Sequence, residues 1–165
     1  MRSIQKAQGF GIAEIVIASS IISTVLVILV SVYNIVSYRS LANVEVLKAT
    51  GLTEEGVEVL KYLGNSGWTK NIASLTNGST YYLYFDANVG SGTWTATTSN
   101  IRLENKYQVS FVLSPVYRDA NFGVVSYGGT VDNGSRKAIV TVTYNTRGAT
   151  TTKQIEAYLF NLFSN

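Results

Sequence analysis

Between Glu14 and Arg39 the chain carries no charged side chain, and no other feature limits its fold so severely. The 24 residues from Ile15 to Tyr38 extend about 36 Å as an α-helix, enough to cross a bilayer core. An ordinary secretory signal has a shorter apolar region, roughly 7–15 residues, ending at a small-residue cleavage site. Here the run is longer, and Tyr38-Arg39-Ser40 is a poor site for such cleavage. The sequence therefore predicts a membrane-spanning helix that is retained.

From Ser40 to Leu63 the pattern changes from apolar all round to one-faced. Leu41, Val44, Leu47, Leu52, Val57, Leu60 and Leu63 recur near helical spacing, with Glu45, Lys48, Glu54, Glu55, Glu58 and Lys61 between them. One long helix is expected, with Thr50-Gly51 as a bend and Thr53, followed by Glu54 and Glu55, as a point of restart. Gly64-Asn65-Ser66-Gly67 is the expected stop. Beyond Trp68 the period falls toward two. Strands are expected at Tyr81–Asp86, Tyr107–Pro115, Ala138–Tyr144 and Thr151–Phe160, with a weaker one at Trp94–Thr98. Asn145–Gly148 has the residues of a tight turn joining the last two strong strands. The stretch Asp119–Lys137 reads as a loop, with Gly128-Gly129 and Asp132-Asn133-Gly134 as turn signals and room for a short strand at Gly123–Tyr127. The expected class is α+β: a long N-terminal helix, its first half transmembrane and its second half amphipathic, packed on a small C-terminal antiparallel sheet.

The chain has neither Cys nor His, which removes disulfides, thiolate and imidazole metal ligands and every His-dependent catalytic arrangement. No cofactor and no enzymatic activity are expected. Formal net charge is +3, and two of those charges, Arg2 and Lys6, precede Gly9. Without that short basic head about +1 remains, so net charge gives no support for nucleic-acid binding.

The head of the apolar helix reads Gly9-Phe10-Gly11-Ile12-Ala13-Glu14. An acid at the edge of a membrane helix is costly, on the order of 2.5–3.5 kcal/mol at the bilayer centre and less near the interface. Cleavage after Gly9 would free an α-amino group on Phe10. Packed side by side, the amine of one helix can neutralise Glu14 of the next, so each charge loses its desolvation penalty by assembly.

In these residues the chain resembles the prepilin family, which includes type IV pilins and the pseudopilins of type II secretion. The features shared are the basic leader ending at Gly9, the aromatic Phe10, Glu14 five residues into the mature chain, and the apolar helix behind it. The resemblance covers roughly the first 40 residues. It implies cleavage between Gly9 and Phe10 by a membrane-embedded prepilin peptidase, N-methylation of Phe10, and a role for Glu14 in subunit assembly. Residues 1–9 would be the leader, 10–38 the transmembrane and filament-core helix, 39–64 its amphipathic continuation, and 65–165 a β-rich head. The implied partners are other pilin subunits, the peptidase and the pilus assembly machinery. The implied location is the inner membrane, single-pass with the C-terminal domain outside, and then an extracellular pilus. A minor pilin or pilin-like subunit, a pseudopilin, and a membrane-anchored binding domain that never polymerises remain as alternatives. The chain departs from common members at Gly11-Ile12-Ala13, in having Pro115 as its only proline, and in lacking a Cys pair.

Other groups have two readings each. Ser19, Ser20, Ser23, Thr24, Ser31 and Asn34 suit either close helix packing or bonding back to their own helix. Tyr33 and Tyr38 suit interfacial anchoring. Trp68, Tyr81, Tyr82, Tyr84 and Trp94 suit a stacking platform for sugar or single-stranded nucleic acid, but alternation favours core packing. Arg118, Arg136, Lys137 and Arg147 suit a basic patch for DNA, or solvated loops. Asp119 and Asp132 lack the dense oxygen spacing of a calcium loop.

Overall fold

The computed structural model describes residues 11–163, apart from 88–91 and 147. One helix, α1, spans Ile12–Trp68, and the chain divides into two compact units between Val44 and Glu45.

In the first unit the described residues are almost wholly helical, and the large apolar side chains from Ile12 to Val44 are exposed. The helix is long and apolar enough to cross a membrane, with none of its most apolar window buried within the protein. Exposure on this scale needs lipid or other helices around it.

The second unit is the α+β head. Its sheet comprises β1 (Thr80–Asp86), β2 (Thr93–Thr97), β3 (Gln108–Arg118), β4 (Val124–Val125), β5 (Thr130–Thr146) and β6 (Ala149–Phe160). Strand order is β2-β1-β3-β5-β6, every pairing is antiparallel, and β4 pairs with the C-terminal end of β3. Gly148, at φ +82°, supplies the left-handed residue of the β5–β6 turn.

The core lies between the second half of α1 and one face of this sheet. Ala49, Thr53, Gly56, Val57, Leu60, Leu63 and Gly64 form a buried helical stripe at the spacing of a single face. Opposite them lie Leu83, Val109, Phe111, Leu113, Ala138, Val140, Val142 and Tyr144, at alternate positions on their strands. Gly56 sets the closeness of this contact: a Cβ there would stand 2.8 Å from Cγ1 of Val140.

Two local expectations are corrected. The backbone stays helical through Thr50-Gly51, and the non-helical φ/ψ within α1 is at Gly67. Thr53 does not restart the helix: its hydroxyl donates to the Ala49 carbonyl at 2.6 Å and is buried in the helix–sheet contact. Helical geometry does fail at Gly67, but the chain continues through Trp68 into a π-helical turn, Thr69–Ala73. Buried Trp68 and Ile72 hold this turn on the core, and Asn71 Nδ2 donates to the Leu63 carbonyl at 3.0 Å, satisfying an acceptor at the helix end.

The largest difference concerns Asp119–Lys137. β5 begins at Thr130, and Thr130–Asp132 pairs with Val116–Arg118. Residues 133–135 then bulge out before pairing resumes at Pro115 and Arg136. Pro115 lacks the N–H that an unbroken ladder needs, and a bulge is where a strand accommodates that loss. Asp132-Asn133-Gly134 thus does form a local turn, closed by the Gly134 N–H donating to Asp132 Oδ1 at 2.9 Å, but inside a strand.

Candidate functional site

At the start of α1 the Gly11 N–H donates to Glu14 Oε2 at 3.0 Å. Glu14 therefore caps the first turn of its own helix, where the unpaired N–H groups and the positive end of the dipole favour a carboxylate. Gly9 and Phe10, the expected cleavage and methylation positions, lie outside the described residues. Behind Glu14, the hydroxyls of Ser19, Ser20, Ser23, Thr24 and Ser31 donate to the carbonyls of Val16, Ile17, Ser19, Ser20 and Val27 at 2.8–2.9 Å. Back-bonding satisfies these hydroxyls within one helix, so they are not left as orphan donors in hydrocarbon. Tyr33 and Tyr38 are exposed toward the end of the uncharged run.

Where the head begins, two ion pairs join α1 to the β2–β3 connection. Lys106 pairs with Glu45, and Lys48 pairs with Glu104. The second oxygen of Glu45 accepts from the Thr146 hydroxyl at 2.5 Å, so this carboxylate links the β2–β3 connection to the end of β5. Both ammonium groups lie over the Tyr107 ring, at 5.4 and 5.6 Å from its centroid. Glu104 and Asn105, at φ +51° and +54°, turn the chain tightly enough to present Glu104 and Lys106 together. The hydrogen bonds from Lys106 and Thr146 hold the Glu45 carboxyl below its ordinary range. The same bond raises the Lys106 ammonium, while burial raises the Tyr144 phenol. The sequence pattern places Glu45 and Lys48 among solvated charges. The available signal was the opposed order of Glu45…Lys48 and Glu104…Lys106, whose meeting depends on the fold.

At the other end of β3, Arg118 Nε is 2.6 Å from Asp132 Oδ2, and the Ser135 hydroxyl donates to that oxygen at 2.7 Å. The hydroxyl, followed by the guanidinium, holds the Asp132 carboxyl low. Asp119 Oδ1 accepts from the N–H groups of Asn121 and Gly123. Both acids are thus engaged in organising turns, and no metal-binding group of acids occurs among the described residues.

The expected basic cluster is dispersed. Arg136 is buried, its Nη1 donating to the Ser135 carbonyl at 2.8 Å, and Lys137 pairs with Glu156 at 2.6 Å. The Arg147 side chain lies outside the described residues. The aromatic group also divides. Trp68 and Tyr81 are core, with Tyr81 stacked on Phe111 at 5.7 Å, whereas Tyr82 and Tyr84 occupy alternate, half-buried positions on β1. Trp94 packs edge-on against Phe85.

These features define a chain with one apolar helix, compatible with a single-pass membrane anchor, and an α+β head. No family model, curated protein or solved structure matches the chain.

Proposed function

We propose that the chain is a structural subunit of a type IV pilus-like filament, a minor pilin or a pilin-like relative, processed after Gly9 and assembled through its N-terminal helix. One observation carries the reading: a single carboxylate, Glu14, stands at the head of a 24-residue uncharged run, Ile15–Tyr38, whose large apolar side chains are all exposed. A simple anchor has no need of an acid there. In a bundle of identical helices the acid becomes an ordering element, because it is stable only where a cation meets it.

The cap from Gly11 occupies part of the carboxylate's acceptor capacity and leaves room for a further donor. Cleavage after Gly9 supplies that donor as the α-amine of Phe10 on an adjoining subunit. Lateral packing then exchanges lipid around Ile15, Val16, Ile21 and Val25 for other helices, and it pairs the two buried charges in one register.

Mass spectrometry of the N-terminus, from membrane and filament fractions with and without the prepilin peptidase, tests the reading. A mature start at N-methylated Phe10 is expected only with the peptidase, and a start at Met1 in both samples refutes it. Glu14→Ala is expected to insert and be cleaved normally but to enter filaments poorly. Incorporation at the wild-type level would remove the charge-pairing mechanism.

A further inference from the structure

The triplet Asn-Gly-Ser occurs twice in the α+β head, at 77–79 and at 133–135. Both copies match Asn-X-Ser/Thr, the acceptor signal for an N-linked glycan on a surface loop of an exported protein. The fold treats the two in opposite ways.

At 133–135 the serine belongs to the fold. Ser135 is 2% exposed, and its hydroxyl donates to Asp132 Oδ2 at 2.7 Å while Arg118 Nη2 lies 3.4 Å from it. Asp132 Oδ1 accepts from the Gly134 N–H at 2.9 Å, so the same carboxylate holds the glycine and the serine. A transferase that reads the triplet must reach the carboxamide and the hydroxyl together. Here the hydroxyl is out of reach.

At 77–79 the fold uses only the glycine. The triplet makes the turn that enters β1, where Gly78 takes φ +81° and a Cβ on it would meet nothing within 4 Å, so the space around the turn is open. Backbone bonds pin the turn: the Thr76 N–H donates to the Tyr81 hydroxyl at 2.9 Å, and the Gly78 N–H to the Leu113 carbonyl at 2.8 Å. Asn77 is exposed and Ser79 half-buried, yet neither the carboxamide nor the hydroxyl has a hydrogen-bond partner among the described residues. Turn geometry accounts for Gly78, and nothing in the packing accounts for the two residues that flank it. The bond to Leu113 also protects the carboxamide. Deamidation of an Asn-Gly pair begins when the glycine nitrogen gives up its proton and attacks, and here that proton is held.

We propose that Asn77 carries an N-linked glycan in the mature protein and that Asn133 does not. The proposal rests on the filament reading, in which the head lies outside the membrane, where such a transfer takes place. Transfer joins Asn77 Nδ2 to the anomeric carbon of an oligosaccharide carried as a lipid-linked phosphate or pyrophosphate. The bond from that carbon to the phosphate oxygen breaks, the phosphate leaves with the bonding electrons, and one amide proton passes to the transferase. The Ser79 hydroxyl is the second handle by which the triplet is read. Thr76 and Thr80 are exposed on either side, so a glycan here extends into water without displacing a contact of the fold.

Trypsin separates the two triplets, cutting after Lys70 and Arg102 around the first and after Arg118 and Arg136 around the second. Full-length chain isolated from its own cells is expected to show an added glycan mass on the peptide 71–102 and none on 119–136. Asn77→Gln and Ser79→Ala are expected to abolish that mass, and Ser79→Thr, which preserves the signal, to retain it. Cleavage of the head by protease added to intact cells, and the mass of the N-terminus, are read on the same samples. A glycan that survives in Asn77→Gln, a glycan on 119–136, or an unmodified head that external protease cuts overturns the proposal and leaves the filament reading intact. Glycan on Asn77 of a chain that still starts at Met1 keeps the site and overturns the filament reading. A head that is unmodified and shielded from the protease overturns both.

Discussion

Gly56 is where the closeness of helix and sheet can be measured. Gly56→Ala places a Cβ 2.8 Å from Val140 Cγ1, with Val109 Cγ1 at 3.4 Å and Leu83 Cδ1 at 3.5 Å. Carbon atoms in good contact stand about 3.5–4.0 Å apart, so Val140 or the helix must retreat by roughly 0.7 Å. Val140 is fully buried, and its branched side chain has little rotamer freedom with which to give way. Overpacking of this kind costs about 1–3 kcal/mol, against which the better helix propensity of alanine returns about 1 kcal/mol. The expected net loss is about 1 kcal/mol, a fall of about 4 °C in melting temperature for a domain of this size. Gly56→Val adds two more methyl groups to the same space and should lose about 3 kcal/mol. Unfolding of the full chain in detergent can be followed through the fluorescence of buried Trp68. Val140→Ala alone opens a cavity at a cost of about 2 kcal/mol, but it also makes room for the new methyl group. The double variant should therefore be more stable than the two losses added together, by about 1 kcal/mol. A Gly56→Ala chain as stable as the wild type, or strictly additive losses, would refute the claim that this glycine sets the helix–sheet distance.

Leu60→Ala removes a fully buried side chain from the centre of the helical stripe and should cost about 2–5 kcal/mol, measured in the same unfolding assay. Asp132→Ala takes away the acceptor of Arg118 Nε, the Ser135 hydroxyl and the Gly134 N–H; a loss of about 1–3 kcal/mol is expected, with faster amide exchange at 133–135. The acids Glu45 and Asp132 titrate below their ordinary values of 4.5 and 3.8, so their stabilisation is complete above those values and is lost as pH falls through the lower folded ones. Melting temperature should drop below about pH 4.5, and Glu45→Gln should flatten part of that drop; an unchanged profile would show that the link from α1 to the β2–β3 connection contributes nothing. Lys106, raised by the same pair, has the opposite sign: its contribution is present below 10.5 and lost as pH rises through the higher folded value.

The sequence exposed most of the element plan because its two periodicities are clean. Val109, Phe111 and Leu113, or Val140 and Val142, alternate with polar neighbours strongly enough to mark strands and their buried face. The stripe through Ala49, Gly56, Leu60 and Leu63 was less legible. Its smallest members carry no hydrophobic signal, and they are buried because the sheet approaches closely at that point. β5 was misjudged at its start for a related reason. Thr130–Ser135 has the composition of a loop, and it becomes strand only because the end of β3 needs a partner beyond Pro115. Turn residues in sequence therefore marked the bulge correctly without revealing that a ladder continued on both sides of it.

The charged residues obey the same logic with longer reach. Glu45 is 61 positions from Lys106 and 101 from Thr146, separations at which no local pattern can signal a pair. Glu14 is different because its partner Gly11 is three residues away and its environment is set by the uncharged run behind it. That is why the contact at the head of α1 is local in sequence, whereas the ion pairs of the α+β head required the fold. The two sets of charges also have different solvents. Around Glu45 and Asp132, water screens each pair, and the pairs position loops more than they stabilise the domain. Around Glu14 the neighbours in sequence are apolar, and a charge there would be expensive if the helix lay isolated in a membrane. Capping its own first turn engages one oxygen of this carboxylate. Its position at the head of the uncharged run makes sense if a second positive group, on another copy, completes its coordination.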